Sequence, residues 1–148
     1  MKRVTLGFCD TAAIDNTVLK REDIEPAIDA FNERVSAGKR YGAGKTSHKV
    51  FSGNCMVAAL STVVPSHYVS SVRIYKNGRI VGEVEFSNSV VGKVVKGFVH
   101  NGTRLYIKPN VNVSTNDDGT VSMEIVSFDI TSERVYDKNG TELVEELS

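Results

Sequence analysis

Hydrophobic and polar residues alternate with a period of two across residues 68–86, which predicts two β-strands joined by a tight turn. Val72 and Ile74 share one face of the first strand, and the second strand places three hydrophobic residues on one face: Ile80, Val84 and Phe86. Asn77-Gly78 separates the two strands. We therefore predict a two-residue hairpin turn in which both residues adopt positive φ.

The period changes to that of a helix in residues 89–101. The predicted buried face of this helix consists of Val90, Val91, Val94, Val95 and Phe98. Ser87 or Ser89 is suited to cap its start, and Gly102 is suited to end it. Because valine is a weak helix former, this helix must be stabilised by packing.

A second hairpin follows, with alternation in residues 104–113 and again in residues 121–130. Residues 116–119, Asn-Asp-Asp-Gly, predict its turn. Pro109 has no backbone N–H to donate to a ladder, so it predicts an edge strand, a bulge or a break. The hydrophobic phase of the last strand changes near Val126, which predicts a bulge there.

The chain begins with one predicted strand and one predicted helix. Residues 4–8 alternate and predict the strand, and hydrophobic residues at helical spacing in residues 24–35 predict a helix that Gly38 closes. Asp23 is the expected cap of this helix. Pro26 is tolerated in this interpretation because it falls in the first turn.

Two less regular segments connect this helix to the first hairpin. Residues 39–52 are rich in Gly, Lys and Ser, which predicts a long exposed loop. This loop contains Gly-Ala-Gly-Lys-Thr at residues 42–46, but lysine stands at position 39, where a phosphate-binding loop needs its first glycine. Residues 57–64 form an apolar run that fits either a buried strand or a short helix.

Length and charge limit the classes of protein that fit. The 148 residues suffice for one domain over residues 1–148. The 18 basic and 18 acidic residues cancel, which argues against specific nucleic-acid binding. No apolar stretch reaches the length of a membrane span or a signal peptide, so we expect no membrane partner and synthesis in a host cytoplasm. Residues 131–148 end either as a short strand with a frayed terminus or as an acidic C-terminal arm that reaches a neighbouring subunit.

The cysteines and histidines do not predict a metal or redox site. Cys9 and Cys55 are far apart and lack CxxC spacing, which favours free thiols in a reducing compartment. The three histidines lack metal-ligand spacing with either cysteine or with each other: His48, His67 and His100. We therefore expect neither a metal nor a cofactor.

Several short segments resemble the prohead maturation proteases of tailed phages. Within residues 16–133, the resemblance is carried by Ser66-His67, Gly82-Glu83-Val84-Glu85-Phe86, Gly92-Lys93-Val94-Val95-Lys96, Arg104-Leu105-Tyr106-Ile107 and Val126-Ser127-Phe128-Asp129-Ile130. The helix and loop of residues 19–42 also look like the first helix and following loop of that family. Its fold is shared with the herpesvirus assembly proteases. The resemblance implies an α+β domain with a mainly antiparallel, β-barrel-like sheet and two or more helices.

The resemblance also implies a site, which this sequence fills only in part. The family hydrolyses peptide bonds with a serine nucleophile and a histidine base, and the histidine corresponds to His67. The family usually has a pair of serines where this chain has Lys108-Pro109. Loss of a nucleophile typically lowers turnover on the order of 10⁶-fold. We therefore expect no catalytic residue and a vestigial His67.

Other residues are candidates for the missing roles. Asp129 and Glu133 are the candidates for the third catalytic group, a carboxylate that orients the histidine. A rearranged site has four alternative nucleophiles: Ser70, Ser71, Ser114 and Cys55.

The leading prediction is a non-enzymatic structural protein of a tailed-phage virion. Its expected partner is the major capsid protein, which it binds on the outer surface of the capsid as a decoration or cement protein. Copies are expected to form a homo-oligomer or a symmetric array. Residues 39–52 and the acidic tail are the candidate contact surfaces. Two alternatives stay open: an active maturation protease that uses His67 with another nucleophile, and an internal scaffold or core component.

Overall fold

The structure is a computed structural model that describes residues 2–137 and 141–147. These residues form an α+β domain, as predicted. In chain order its elements are β1 (Lys2–Phe8), α1 (Arg21–Ala37), β2 (Ala43–Gly44), α2 (Cys55–Leu60), β3 (His67–Ile74), β4 (Arg79–Phe86), α3 (Val90–His100), β5 (Tyr106–Thr115), β6 (Val121–Thr131) and α4 (Leu143–Leu147). Two 3₁₀ helices flank β2, at Lys39–Gly42 and His48–Phe51.

The strands form a curled antiparallel sheet, a half-barrel that stays open on one side. Four strands pair in the order β1-β4-β3-β2, and β5 pairs with β6 as a two-stranded ribbon. Residues 45–47 extend β2 and join it to the inner end of β6. There the Ile130 N–H donates to the Lys45 carbonyl at 2.9 Å, and the Ser47 N–H donates to the Ile130 carbonyl at 2.8 Å. The ribbon thereby continues the sheet past β2 and brings β5 opposite β1.

Pro109 lies at the seam between β5 and β1, where the sheet does not close. A β-carbon on Gly7 of β1 would lie 3.6 Å from Pro109 Cγ, so the two strands approach closely. Pro109 has no N–H to donate across this gap. The Tyr136 side chain spans the seam instead: its hydroxyl accepts from the Phe8 N–H at 3.2 Å, and its ring packs edge-on against the Phe8 ring. The predicted edge position of Pro109 is confirmed.

Helix α1 packs against β6 and β3 and covers the core side of the ribbon's inner half. Phe31 of α1 meets Phe128 of β6 edge to face, with ring centroids 5.2 Å apart, and both side chains are buried. Such an aromatic pair contributes on the order of 1 kcal/mol beyond the area that it buries. Arg34, one turn further along α1, donates to the Ile125 carbonyl at 2.6 Å. Contacts with α1 therefore fix the position of the ribbon on the domain.

The start of α1 differs from the prediction. The helix begins at Arg21, so Asp23 lies inside it and is not the cap. Lys20 occupies the cap position without a side-chain hydrogen bond, and the free Arg21 N–H is instead accepted by Asp10 Oδ1 at 3.2 Å. Pro26 consequently falls in the second turn, where it removes one bond of the helical ladder. The predicted closure at Gly38 is confirmed.

Helix α3 confirms the predicted element but not all of its buried face. Ser89 is the cap, and its Oγ accepts from the Gly92 N–H at 3.0 Å. Val90, which was predicted to be buried, is 59% exposed, whereas Val99 is 1% exposed. The buried row is spaced by four residues and runs through Val91, Val95 and Val99. Val90 lies about 100° around the helix from Val91, which places it outside that row.

The first hairpin turn contains one more loop residue than the predicted two-residue turn. In the first turn the Gly78 N–H donates to the Tyr75 carbonyl at 2.9 Å. Gly78 has a φ of 89°, but Asn77 is not at positive φ, so that part of the prediction is wrong. The same pattern recurs in residues 116–120, where Gly119 has a φ of 84°. A type I turn followed by a bulge residue needs only this one left-handed position.

The segment predicted as a long exposed loop, residues 39–52, is largely structured. It contains both 3₁₀ helices and β2, and it buries Phe51 and Thr46, each 2% exposed. The alternatives for the next segment are decided in favour of a helix, α2, which begins after the cap residue Asn54. Asn54 Oδ1 accepts from the Val57 N–H at 3.2 Å.

The C-terminal tail packs against the domain, with residues 138–140 and 148 outside the described residues. Leu143 is fully buried. The Glu146 carboxylate accepts from the Thr5 N–H at 2.6 Å and from the Thr5 hydroxyl at 2.7 Å, and it pairs with Arg79 at 3.3 Å. These contacts occupy the outer edge of β1 and so protect it from pairing with another strand. The described end of the tail is a helix, α4, and not the short strand that was one of the two predicted forms.

Candidate functional site

His67 is the first residue of β3, and its side chain is fully buried. Its Nε2 lies 2.6 Å from the Phe128 carbonyl oxygen, and its Nδ1 lies 2.7 Å from Ser66 Oγ. A carbonyl oxygen only accepts, so Nε2 carries a proton and donates it to Phe128. In the neutral ring Nδ1 then accepts, and the donor is the Ser66 hydroxyl.

Thr46 extends this arrangement by one more hydroxyl. Its Oγ1 lies 2.7 Å from Ser66 Oγ, and both side chains are buried. Because the Ser66 proton points to the histidine, Thr46 is the donor of this bond. The result is a directed chain from Thr46 through Ser66 and His67 to the Phe128 carbonyl. In the described part of the chain no buried side-chain nitrogen or oxygen lacks a partner.

Burial lowers the pKa of His67, because the protonated ring would have to be desolvated. The bond to the Phe128 carbonyl and the negative charge of Asp129 act in the opposite direction, with smaller effect. The neutral ring that results is the form that the chain of hydrogen bonds requires.

Gly44 closes the site on the β2 side. A β-carbon at this position would overlap both His67 Nε2 and the Phe128 carbonyl oxygen. The backbone of β2 therefore packs directly on the imidazole, which only glycine permits here. Neither His67 nor Ser66 lines any of five surface clefts formed by residues 2–137 and 141–147.

The other predicted site residues lie together on the outer side of this closed region. Lys108, Asp129 and Glu133 line one open cleft of about 400 Å³, and Thr46 lies at its inner wall. Lys108 and Asp129 are direct partners in the β5–β6 ladder. Pro109 lines an adjoining cleft of about 440 Å³. The structure thus brings Lys108, Asp129 and Glu133 together and separates them from the imidazole.

Neither candidate carboxylate orients His67. Asp129 accepts from the Lys45 N–H at 3.0 Å and from the Ser127 hydroxyl at 2.9 Å. Glu133 forms an exposed pair with Lys49 at 3.6 Å, a kind of contact that contributes about 0–1 kcal/mol. The group that orients the ring is the Phe128 carbonyl.

Sequence reasoning missed Ser66 as a partner of His67. Consecutive residues within a strand point to opposite faces, which argues against such a pair. Ser66 precedes β3, however, so it is free of that constraint. In the described residues none of the four alternative nucleophiles bonds to the imidazole: Ser70, Ser71, Ser114 and Cys55. The one indication in the sequence was that Ser66 directly precedes His67.

A serine that donates to a histidine has the proton direction that nucleophilic catalysis needs. A substrate must nevertheless reach the serine oxygen, and Ser66 is 0% exposed. Access would require β2 and β6 to separate at the contact between Gly44 and Phe128. In the closed form the four groups act as a structural hydrogen-bond chain that ties β2, β3 and β6 together.

Residues 2–137 and 141–147 contain no group of three or more His, Cys, Asp or Glu side chains placed to hold a metal ion. Of the helices formed by these residues, none is both long and apolar enough to cross a bilayer. No protein-family model, curated protein or solved structure matches the chain. The resemblance to prohead maturation proteases therefore stays a prediction that rests on the sequence segments alone.

Proposed function

We propose that the chain is a non-enzymatic structural protein of a tailed-phage virion. It binds the major capsid protein on the outside of the shell as a decoration or cement protein. The phage assignment rests on the resemblance of the sequence segments, and the non-enzymatic part rests on the geometry around His67.

The observation that carries the proposal is the complete burial of His67 with both ring nitrogens bonded inside the domain. A general base must reach the proton that it removes, either directly or through one water. Here the base position is covered by Gly44, and Lys108-Pro109 stands on the strand where the family has its nucleophile. A domain of this fold that has no catalytic activity can still bind other proteins through its surface, and we infer that binding is its function.

The surface offers groups that a capsid contact can use. The outer part of the β5–β6 ribbon, residues 112–124, is exposed along most of its length and has no neighbouring strand on either side in the described residues. Free strand edges and exposed apolar side chains are typical of surfaces that bind other proteins. A stable contact needs about 1,000 Å² of buried surface, which several symmetric copies can supply together.

Quantitative mass spectrometry of particles from the phage that encodes the chain tests this proposal. We expect mature, DNA-filled particles to contain the chain in a fixed ratio to the major capsid protein. Purified chain added back to particles stripped of it is expected to sediment with them. Presence in proheads combined with absence from mature particles would instead identify a scaffold component or a protease.

A second candidate function, the maturation protease, is favoured by one observation, the 2.7 Å contact between Ser66 and His67. This function requires the site to open during assembly. A fluorophosphonate probe, which reacts with activated serines, tests it on the purified chain with Ser66→Ala as the control. Labelling at Ser66 that the control lacks, together with cleavage of the capsid precursor, would replace our first proposal. We expect neither.

A further inference from the structure

The β5–β6 ribbon has one continuous apolar face that extends beyond the domain. The bulge at Val126 keeps five residue pairs on the same face: Ile107–Ile130, Pro109–Phe128, Val111–Ile125, Val113–Met123 and Thr115–Val121. The inner pairs are buried against the core. In the outer pairs Val113 is 58% and Val121 46% exposed, whereas Met123 is half-buried against the core. Apolar side chains in such a row indicate a surface that a partner covers.

The end of the ribbon is acidic. Residues 109–133 contain five acidic residues and no basic residue: Asp117, Asp118, Glu124, Asp129 and Glu133. The first three lie on the outer part of the ribbon, and none forms an ion pair with another described residue. The hydrogen bonds of Asp118 stay within the turn, where it accepts from the N–H and the hydroxyl of Thr120. The four residues 112–115 span about 13 Å, so the acidic turn stands well clear of the domain.

A cleft with the opposite charge lies between the end of β4, α3 and α4. It has a volume of about 450 Å³, and the basic residues that line it are Lys2, Lys93, Lys96 and His100. The three lysines form no ion pair with the rest of the described chain. The one carboxylate in the lining, Glu85, is already paired with Lys39 at 2.8 Å. Apolar atoms of Phe86 and Leu147 complete the cleft.

The ribbon end and the cleft therefore carry matching properties. Each combines charge of one sign that is unpaired among the described residues with apolar side chains, and the signs are opposite. Opposite charges on two surfaces steer their encounter and exclude partners of like charge.

We propose that copies of this chain bind head to tail, with the acidic ribbon end of one copy in the Lys93–Lys96 cleft of the next. The two surfaces differ, so the contact is heterologous and repeats from copy to copy, closing into a ring or extending as an array. This inference rests on the proposed function and deepens it. Contacts between copies of a cement protein strengthen its attachment to the capsid.

Charge reversal tests the contact. We compare the parent with Asp117→Lys/Asp118→Lys, with Lys93→Glu/Lys96→Glu, and with the chain that carries all four changes. Sedimentation velocity of the parent at low salt is expected to show concentration-dependent association that high salt weakens, because screening acts on exposed charges. Each two-residue variant should weaken association at least tenfold. The four-residue variant, and an equimolar mixture of the two others, should restore it.

Arg73→Glu/Lys76→Glu is the matched control, since it changes the net charge as much as the cleft variant does at exposed positions outside the cleft. It should associate like the parent. All variants should unfold at similar temperatures, which excludes misfolding as the cause. A parent that stays monomeric at low salt overturns the proposal, and so does association that either two-residue variant retains or that the four-residue variant fails to recover.

These measurements use the purified chain alone. Cosedimentation with capsids, measured on the same variants, reports separately on capsid binding. Capsid binding without self-association would overturn the head-to-tail contact and leave the proposed function standing. Self-association without capsid binding would do the reverse.

Discussion

Gly44 packs directly against the imidazole of His67, and no side chain fits between them. Gly44→Ala is therefore expected to push β2 away from His67 and from the Phe128 carbonyl. Overpacking of this kind lowers the free energy of unfolding by about 1–3 kcal/mol. Urea unfolding followed by circular dichroism measures the loss.

Gly97→Ala is the matched control for this substitution. Gly97 lies in α3, and a β-carbon there would meet nothing within 4 Å. Because alanine favours helix over glycine, Gly97→Ala is expected to raise the free energy of unfolding by about 0.5–1 kcal/mol. Equal effects of the two substitutions would contradict the close packing at Gly44.

Burial of His67 predicts that the domain loses stability in mild acid. Below pH 6.5, the ordinary pKa of histidine, the unfolded chain takes up a proton at this residue, whereas the folded chain, with its lowered pKa, does not. The unfolded state then binds more protons, so the free energy of unfolding falls as the pH falls, by at most about 1.4 kcal/mol per pH unit from this residue.

Urea unfolding at pH 7.5, 6.5 and 5.5 measures this dependence. The variant His67→Gln cannot titrate at residue 67 and is the comparison. We expect its free energy of unfolding, although lower, to vary less over the same range. An identical slope in both proteins would show that His67 is not the group responsible.

Ser66→Ala removes the middle of the chain of hydroxyl groups. It leaves His67 Nδ1 without a donor and removes the acceptor of the Thr46 hydroxyl, both of them buried. An unsatisfied buried group costs about 1–3 kcal/mol, so a clear fall in melting temperature is expected. Ser70→Ala, which removes a hydroxyl that forms no described bond to His67, should have a much smaller effect.

Tyr136→Phe tests the open seam between β1 and β5. The substitution removes the hydroxyl that accepts from the Phe8 N–H and leaves that donor without its partner. We expect a loss of about 1 kcal/mol and faster amide hydrogen exchange at Phe8. Tyr75→Phe, at a half-exposed tyrosine, is the control and should change neither quantity.

Glu146→Gln tests the docking of the tail on β1. The neutral side chain loses the pair with Arg79 and weakens both bonds to Thr5, so α4 should detach more often. Limited proteolysis is expected to cleave the tail of this variant severalfold faster than that of the parent. Glu25→Gln, which removes only an exposed pair with Arg21, should not change the cleavage rate.

All strands except β2, the helices α1 and α3 and the bulge at Val126 were predictable from the sequence because each leaves a periodic pattern. Ser89 as a cap and the edge position of Pro109 follow from local chemistry, and both are confirmed. Val90 and Val99 were misplaced because several valines in α3 fit more than one helical face, and only packing chooses between them.

Features that depend on distant partners left no local pattern. Asp10 accepts a hydrogen bond from the first N–H of α1, although it lies eleven residues earlier in the chain. The Gly-rich segment of residues 39–52 is part of the core because Thr46 and Gly44 contact residues at the start of β3 and in β6. Lys108, Asp129 and Glu133 line the same cleft because they lie on paired strands or next to one. The Ser66–His67 contact was missed because it depends on where β3 begins.

The extra residue at Val126 has a consequence for how this chain can evolve. Without it the ladder would be regular and the same residue pairs would stay on the same face, because β5 has no extra residue opposite. A bulge bends its strand and increases the local twist. Loss of this one residue in evolution would therefore re-aim the outer hairpin and keep its row of apolar pairs.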